Sequence, residues 1–349
     1  MDRMHDNQRE SEPALFQRFI LSSLAALAFL SLLLVAGSTI VAQVAPNAPA
    51  QATRMASGEK EISFTVTVMD NKSGYISGLK KESFSVLLNK TPQEISNLAC
   101  VDVPLSVGIL IDVSGSISNA SKTLGKKRLS MIREGLARFI SLSNKEDEYF
   151  LVGFADQPQL LVDNTRDVNA IIAGLSSLEL KGHTAFYDAC YVGVEKVASG
   201  THGKRVVILI SDGNDNVSIR KPKELERLLK ETDVLLYCVC VSGINETPFQ
   251  PEWQFLSPSG ASNLTKLAKQ TGGVAFFPTQ SNEIQAVFDM IAIELRNQYR
   301  VVIRPTDPQK RDQWQSLEVK VTPPASSSAE IKRLTVRSRD GFYASARLR

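Results

Sequence analysis

The sequence predicts an α/β fold: a doubly wound, mostly parallel sheet, flanked by a small β module built from the segments before and after it. Two patterns lead there. Between residues 101 and 298, strand-length apolar runs alternate with helical stripes of apolar residues, the order that parallel sheets covered by helices require. Outside those limits, in residues 59–100 and 299–349, apolar residues recur at every second position, the period of half-buried strands. A chain of 349 residues has room for roughly two domains at about 150 residues each. Its 40 basic and 37 acidic residues nearly cancel to +3, so no overall field points to nucleic acid or an anionic membrane.

Residues 19–42 contain no charge and are long enough to span a bilayer, while Ala36-Gly37-Ser38 offers a small-x-small cleavage site. Residues 1–43 are therefore read as either a signal peptide or a retained N-terminal membrane anchor. Acidic Asp2, Asp6, Glu10 and Glu12 weaken the first reading, and Arg18 beside the span favours a cytoplasmic N-terminus. Under both, the rest of the chain is exported, to periplasm, outer envelope or exterior. Residues 44–58, rich in Ala, Pro, Gln and Asn, form a linker.

In the N-terminal β segment, 59–100, Ile62, Phe64, Val66 and Val68 alternate with polar residues. A turn at 70–74 follows, then a second strand around Phe84, Val86 and Leu88. From Leu105 to Ile111 the run is almost continuously apolar, as in a strand buried on both faces. The following helix carries Leu129, Ile132, Leu136, Phe139 and Ile140 on one stripe. Further strands are expected at 149–154, 160–162, 205–210, 234–241 and 273–277, and helices at 168–178, 185–198, 225–230, 263–270 and 284–298. Past Tyr299, period two returns in Val301 and Ile303, in Leu317, Val319 and Val321, and in Leu334 and Val336. These strands leave an apolar face that needs covering, and the strands of 61–100 are the obvious partners.

The strand Ile109-Leu110-Ile111 ends in Asp112-Val113-Ser114-Gly115-Ser116, a carboxylate and two hydroxyls at alternate positions. Spaced so, all three oxygens can turn inward from one tight loop towards a hard divalent cation, with Gly115 easing the bend. This D-x-S-x-S string resembles the metal-ion-dependent adhesion site (MIDAS) of von Willebrand factor A domains. Gly182-His183-Thr184-Ala185 before a helix and Ser211-Asp212-Gly213 after a strand match that family's two further metal loops, in order. The resemblance covers about 101–298. The leading β segment is similar to one preceding the A domain in an acidobacterial group called VWFA-related. On its own, Thr184 would read as a helix cap and Asp212 as a turn residue.

The resemblance implies a Mg²⁺ (or Mn²⁺) site in which Ser114, Ser116 and Thr184 contact the ion and Asp112 and Asp212 act largely through water. Neutral hydroxyls leave much of the ion's charge uncancelled, so the implied ligand is an Asp or Glu of a partner protein. The expected function is thus a metal-dependent adhesion or interaction module without enzymatic activity. Its alternatives are an envelope assembly subunit stabilised by the metal, and a hydrolase using Ser114 and His183, for which no G-x-S-x-G elbow is present. The family's last helix can shift with the metal site, and here it runs straight into the strand at Tyr299.

After the strand at 234–241 comes a long loop whose Phe249, Trp253 and Phe255 are candidates for a partner-contact rim. Asp156 and Asp188 are assigned structural roles. Lys126-Lys127-Arg128 reads as a solvated face. Four dispersed cysteines, Cys100, Cys190, Cys238 and Cys240, read as small buried hydrophobes.

Overall fold

The structure, a computed structural model, describes residues 61–70, 74–100, 102–118, 122–241, 257–305, 313–323 and 334–343. The leader and linker fall outside these limits, and no described helix is long and apolar enough to cross a membrane.

The described residues open with β1 (Ile62–Met69), β2 (Phe84–Leu88) and β3 (Thr91–Ala99). A two-residue turn joins β2 to β3, and both its residues, Asn89 at φ 51° and Lys90 at φ 68°, are left-handed. Such turns match the twist of paired strands, and Asn tolerates the conformation well.

The inserted α/β part follows as β4 (Leu105–Asp112), α1 (Gly115–Ser118), α2 (Lys122–Ser141), β5 (Glu148–Phe154), β6 (Pro158–Thr165), α3 (Val168–Ser176) and α4 (Phe186–Ala198). It continues with β7 (Lys204–Ile210), α5 (Pro222–Glu231), β8 (Val234–Val239), α6 (Pro258–Thr271), β9 (Ala275–Phe276) and α7 (Glu283–Arg296). The six strands lie in the order β6-β5-β4-β7-β8-β9. All pairings are parallel except β5 with β6, so the sheet is mixed. Three residues separate β5 from β6, too few for the crossover that a parallel pair needs.

Side chains alternate across this sheet. Val206, Ile208 and Ile210 join Leu129, Ile132, Phe139 and Phe288 in one apolar cluster, while Val207 and Leu209 join Phe186, Val194, Leu225 and Leu264 in the other. Helices thus cover both faces, which is why β4 reads as a continuous apolar run.

The chain returns through β10 (Tyr299–Arg304), β11 (Trp314–Val321), β12 (Thr335–Ser338) and β13 (Gly341–Tyr343). These join the first three strands in one antiparallel seven-stranded sheet, β12-β1-β10-β3-β2-β11-β13. Phe64, Val66, Val86, Tyr299, Val301 and Leu317 share its core. Because β3 pairs with β10, the chain leaves this sheet and re-enters it on neighbouring strands. The sheet is larger than the sequence pattern suggests. Strand β3, with Pro92 and only Ile95 buried, and the three-residue β13 carry too little alternation to be read.

Candidate metal centre

Strand order reverses between β4 and β7, and ligands of open α/β sheets gather outside the carboxyl ends at such a point. Asp112 ends β4, and Ser211-Asp212-Gly213 follows β7. The connection from α3 to α4 brings Thr184 to the same edge. Its backbone is tied there by Lys181 N–H to Val113 O (2.8 Å), Gly115 N–H to Gly182 O (3.0 Å) and Ala185 N–H to Ala155 O (2.7 Å).

Asp112, Ser114, Thr184 and Asp212 are therefore gathered on one edge, each no more than 4% exposed. Gly115, Gly182 and His183 beside them are exposed, so the cluster lies just beneath the surface. Ser116 falls within α1, but its side chain lies outside what the structure describes, as do Phe249, Trp253 and Phe255.

The Asp112 carboxylate accepts from the Ser114 N–H at 2.9 Å and the Ser211 hydroxyl at 2.7 Å. Burial pushes its pKa up to about 7, and the neighbouring Asp212 charge adds to the rise. Hydrogen bonds from Ser114 and Ser211 oppose it. Asp212 accepts from the Asn214 N–H at 3.0 Å and so does act as a turn residue. Thr184 is not a helix cap. The N-cap of α4 is Ala185, and the Phe186 N–H, free of any partner within the helix, is taken by Asp215 at 2.9 Å. Thr184 instead exchanges backbone bonds with Asn216: its N–H donates to Asn216 Oδ1 at 2.8 Å, and its carbonyl accepts from the Asn216 N–H at 3.0 Å.

Two glycines make the loops possible. Gly182 has φ +80°, and a Cβ there would lie 2.6 Å from Asp156 Oδ2; Gly213 has φ +78°, with Gly260 O at 2.3 Å from its Cβ position. Asp156 accepts from the His183 N–H at 2.8 Å, and Asp188 from the N–H groups of Ile219 and Arg220 at 2.9 and 2.7 Å, so both act as braces.

The sequence pattern missed Ser211, Asp215 and Asn216 as supports, since their partners are distant in the chain. It misread Arg128, which is 1% exposed and donates from Nη1 to the Ile117 carbonyl of α1 at 2.9 Å. Only Lys126 and Lys127 form the solvated face. Cys190, Cys238 and Cys240 are buried in the apolar cluster beneath α4 and α6, and Cys100 is half-buried.

The donors suit a hard divalent cation: all are oxygen, two are carboxylates, and the hydroxyls are neutral. Among the described residues no group of three or more His, Cys, Asp or Glu forms an alternative metal cluster. His183 is exposed, and its backbone N–H is held by Asp156.

Residues 107–214 match the von Willebrand factor type A domain family, and the chain carries such a domain. The UPF0353 protein of Mycolicibacterium paratuberculosis is 27% identical over 214 residues, which are 56% of this chain and 62% of that relative. The chain thus spans less than two thirds of the relative's length. Among solved structures, the von Willebrand factor type A protein from Catenulispora acidiphila is 12% identical with TM-score 0.45, over 82% of this chain and 75% of that one. The PilB minor pilin from Streptococcus sanguinis is 15% identical with TM-score 0.44, over 56% and 62% respectively. For the vWF domain of the type V pili tip protein Mfa5 from Porphyromonas gingivalis the figures are 13%, 0.43, 55% and 95%.

Proposed function

We propose that this protein is an exported interaction module that captures an acidic side chain of a partner protein through a divalent cation, Mg²⁺ or Mn²⁺. The cation would be held by Asp112, Ser114, Ser116, Thr184 and Asp212. The observation that supports this most directly is the position of Thr184: its backbone is clamped by Asn216, and its hydroxyl is not spent on capping α4. The site residues orient oxygens and keep the cluster buried. A cation held by them would supply the positive charge that attracts a carboxylate. The uncharged stretch 19–42 supports export. Phe249, Trp253 and Phe255 are proposed as the rim that selects the partner.

The test is titration of the full chain with Mg²⁺ and Mn²⁺, alongside Ser114→Ala, followed by capture of envelope proteins with and without chelator. Saturable metal binding that Ser114→Ala weakens at least tenfold, together with chelator-sensitive capture, is expected. Capture that ignores chelation would assign the metal a structural role instead, and hydrolytic turnover lost in Ser114→Ala would assign an enzyme.

A further inference from the structure

A cavity of about 370 Å³ lies at the opposite end of the parallel strands from the metal loops, where the inserted domain meets the seven-stranded sheet. Its walls come from the start of β7 (Lys204, Arg205), the start of β8 and the residue before it (Leu235, Asp233), and β1, β3 and β10. The size is at the lower end of small-molecule sites.

Three cations line it, Lys204, Arg205 and Arg300, against one carboxylate, Asp233. Asp233 already faces Arg339, whose Nη1 is 3.5 Å away. Arg300 is exposed, with Nη2 3.4 Å from the Ser63 hydroxyl. Lys204 gives one proton to the Leu295 carbonyl at 2.6 Å, and an ammonium has two more.

Two of the lining residues each carry a buried side-chain atom with no partner among the described residues: Arg205 Nε, a donor, and Gln298 Oε1, an acceptor. Gln298 is only 3% exposed, and its Nε2 is fully engaged with Thr67 Oγ1, Tyr237 OH and Glu294 Oε1 at 3.0, 2.9 and 3.3 Å. Buried polar atoms are nearly always satisfied, so an orphan donor and an orphan acceptor on residues lining one cavity favour a ligand that reaches them as the side chains turn inward on binding.

We propose that this cavity binds a small organic oxyanion that also carries a hydroxyl, its acidic group held by Arg205 and Arg300 and its hydroxyl donating to Gln298 Oε1. Lys204 adds charge. Hydroxy acids and phosphorylated polyols share this chemistry. The site is independent of the metal loops and of the function proposed for them.

Calorimetric titration of the full chain in detergent micelles tests it with malate and succinate, and with glycerol 3-phosphate and inorganic phosphate. Within each pair only the first offers the hydroxyl. At least one of malate and glycerol 3-phosphate should bind saturably and about tenfold tighter than its hydroxyl-free counterpart, the effect of one buried hydrogen bond. Arg300→Gln should weaken that ligand about tenfold or more through loss of a charged donor, with Arg300→Lys retaining part of the affinity and Lys204→Met weakening it independently. Ser114→Ala should leave it unchanged. The proposal is overturned if neither hydroxylated probe saturates, if each binds no better than its counterpart, or if Arg300→Gln and Lys204→Met both bind like the unaltered chain.

Discussion

At the scale of single residues, the oxygen cluster that we propose as a metal site depends on side chains that would not touch the ion. Asn216 holds Thr184 by its side chain and its backbone together. Asn216→Ala removes the first bond, and supports of this kind typically matter by about 10–100-fold in metal affinity. We expect Mg²⁺ affinity to fall within that range while the thermal midpoint stays nearly unchanged, measured by titration and scanning calorimetry on one sample. Asp112, Ser114, Thr184 and Asp212 were legible because a short loop string and two strand-end signals carry them. Asn216 was not, because its bond to Thr184 spans 32 positions and nothing in the local pattern announces it. Lys204 gives a second residue-scale expectation. Burial, with Arg296 adding, lowers its pKa from 10.5 to about 8, against the pull of Asp102, Glu294 and Asp147. Below about pH 8 both folded and unfolded chains hold the proton and the cost of its burial is constant. From there to 10.5 the unfolded chain binds a proton that the folded chain has released, so this group makes stability rise with pH. The urea midpoint of the unaltered chain minus that of Lys204→Met should therefore grow between about pH 7.5 and 9.5. A flat difference would refute it.

At the scale of elements, α7 is the connection between the two sheets. Its Glu294 is buried and accepts from Tyr237 of β8 at 2.5 Å, from Tyr75 at 3.0 Å and from Arg337 of β12. Thr67 of β1 and Gln298 complete the cluster at 3.4 and 3.3 Å. One carboxylate thus joins a helix of the inserted domain to both flanking strand sets. Breaking a buried ion pair from one side leaves a buried charge, a loss of about 3–5 kcal/mol. Glu294→Ala is expected to destabilise by that order in chemical denaturation, and Glu294→Ala combined with Arg337→Met by clearly less than Glu294→Ala alone. In the sequence, Glu294 reads as one more polar position on an amphipathic helix. The apolar stripe of Ile284, Val287, Phe288, Ile291 and Leu295 is plain, and all five are buried as that stripe requires. Periodicity reports which face turns inward, whereas an acid inside that face depends on partners up to 227 residues away.

At the scale of the whole molecule, the seven-stranded sheet has its own apolar cluster, separate from the two that sandwich the six-stranded sheet. Replacing residues 101–298 with an Asn-Gly turn should leave a folded β protein, since β3 and β10 already lie antiparallel and such a turn suits a hairpin. A dispersed NMR spectrum with a strand-type circular dichroism signal is the expected result, and a collapsed spectrum would show that the inserted domain is needed. The shared sheet was foreseeable from the two sets of alternating strands, since each left an uncovered apolar face. The pairing order was not, because period two says which face is inside and nothing about which neighbour lies alongside.

The adjacency of Ala99 and Arg300, paired across β3 and β10, also bears on how such a protein can change over time. Paired antiparallel residues lie about 5 Å apart, so the sheet presents a socket with fixed ends. Any domain whose own ends come that close could be grafted into it without disturbing a single strand pairing. The carrier and its cargo can therefore diverge separately, the cargo acquiring new specificities while the carrier keeps its strand pairings.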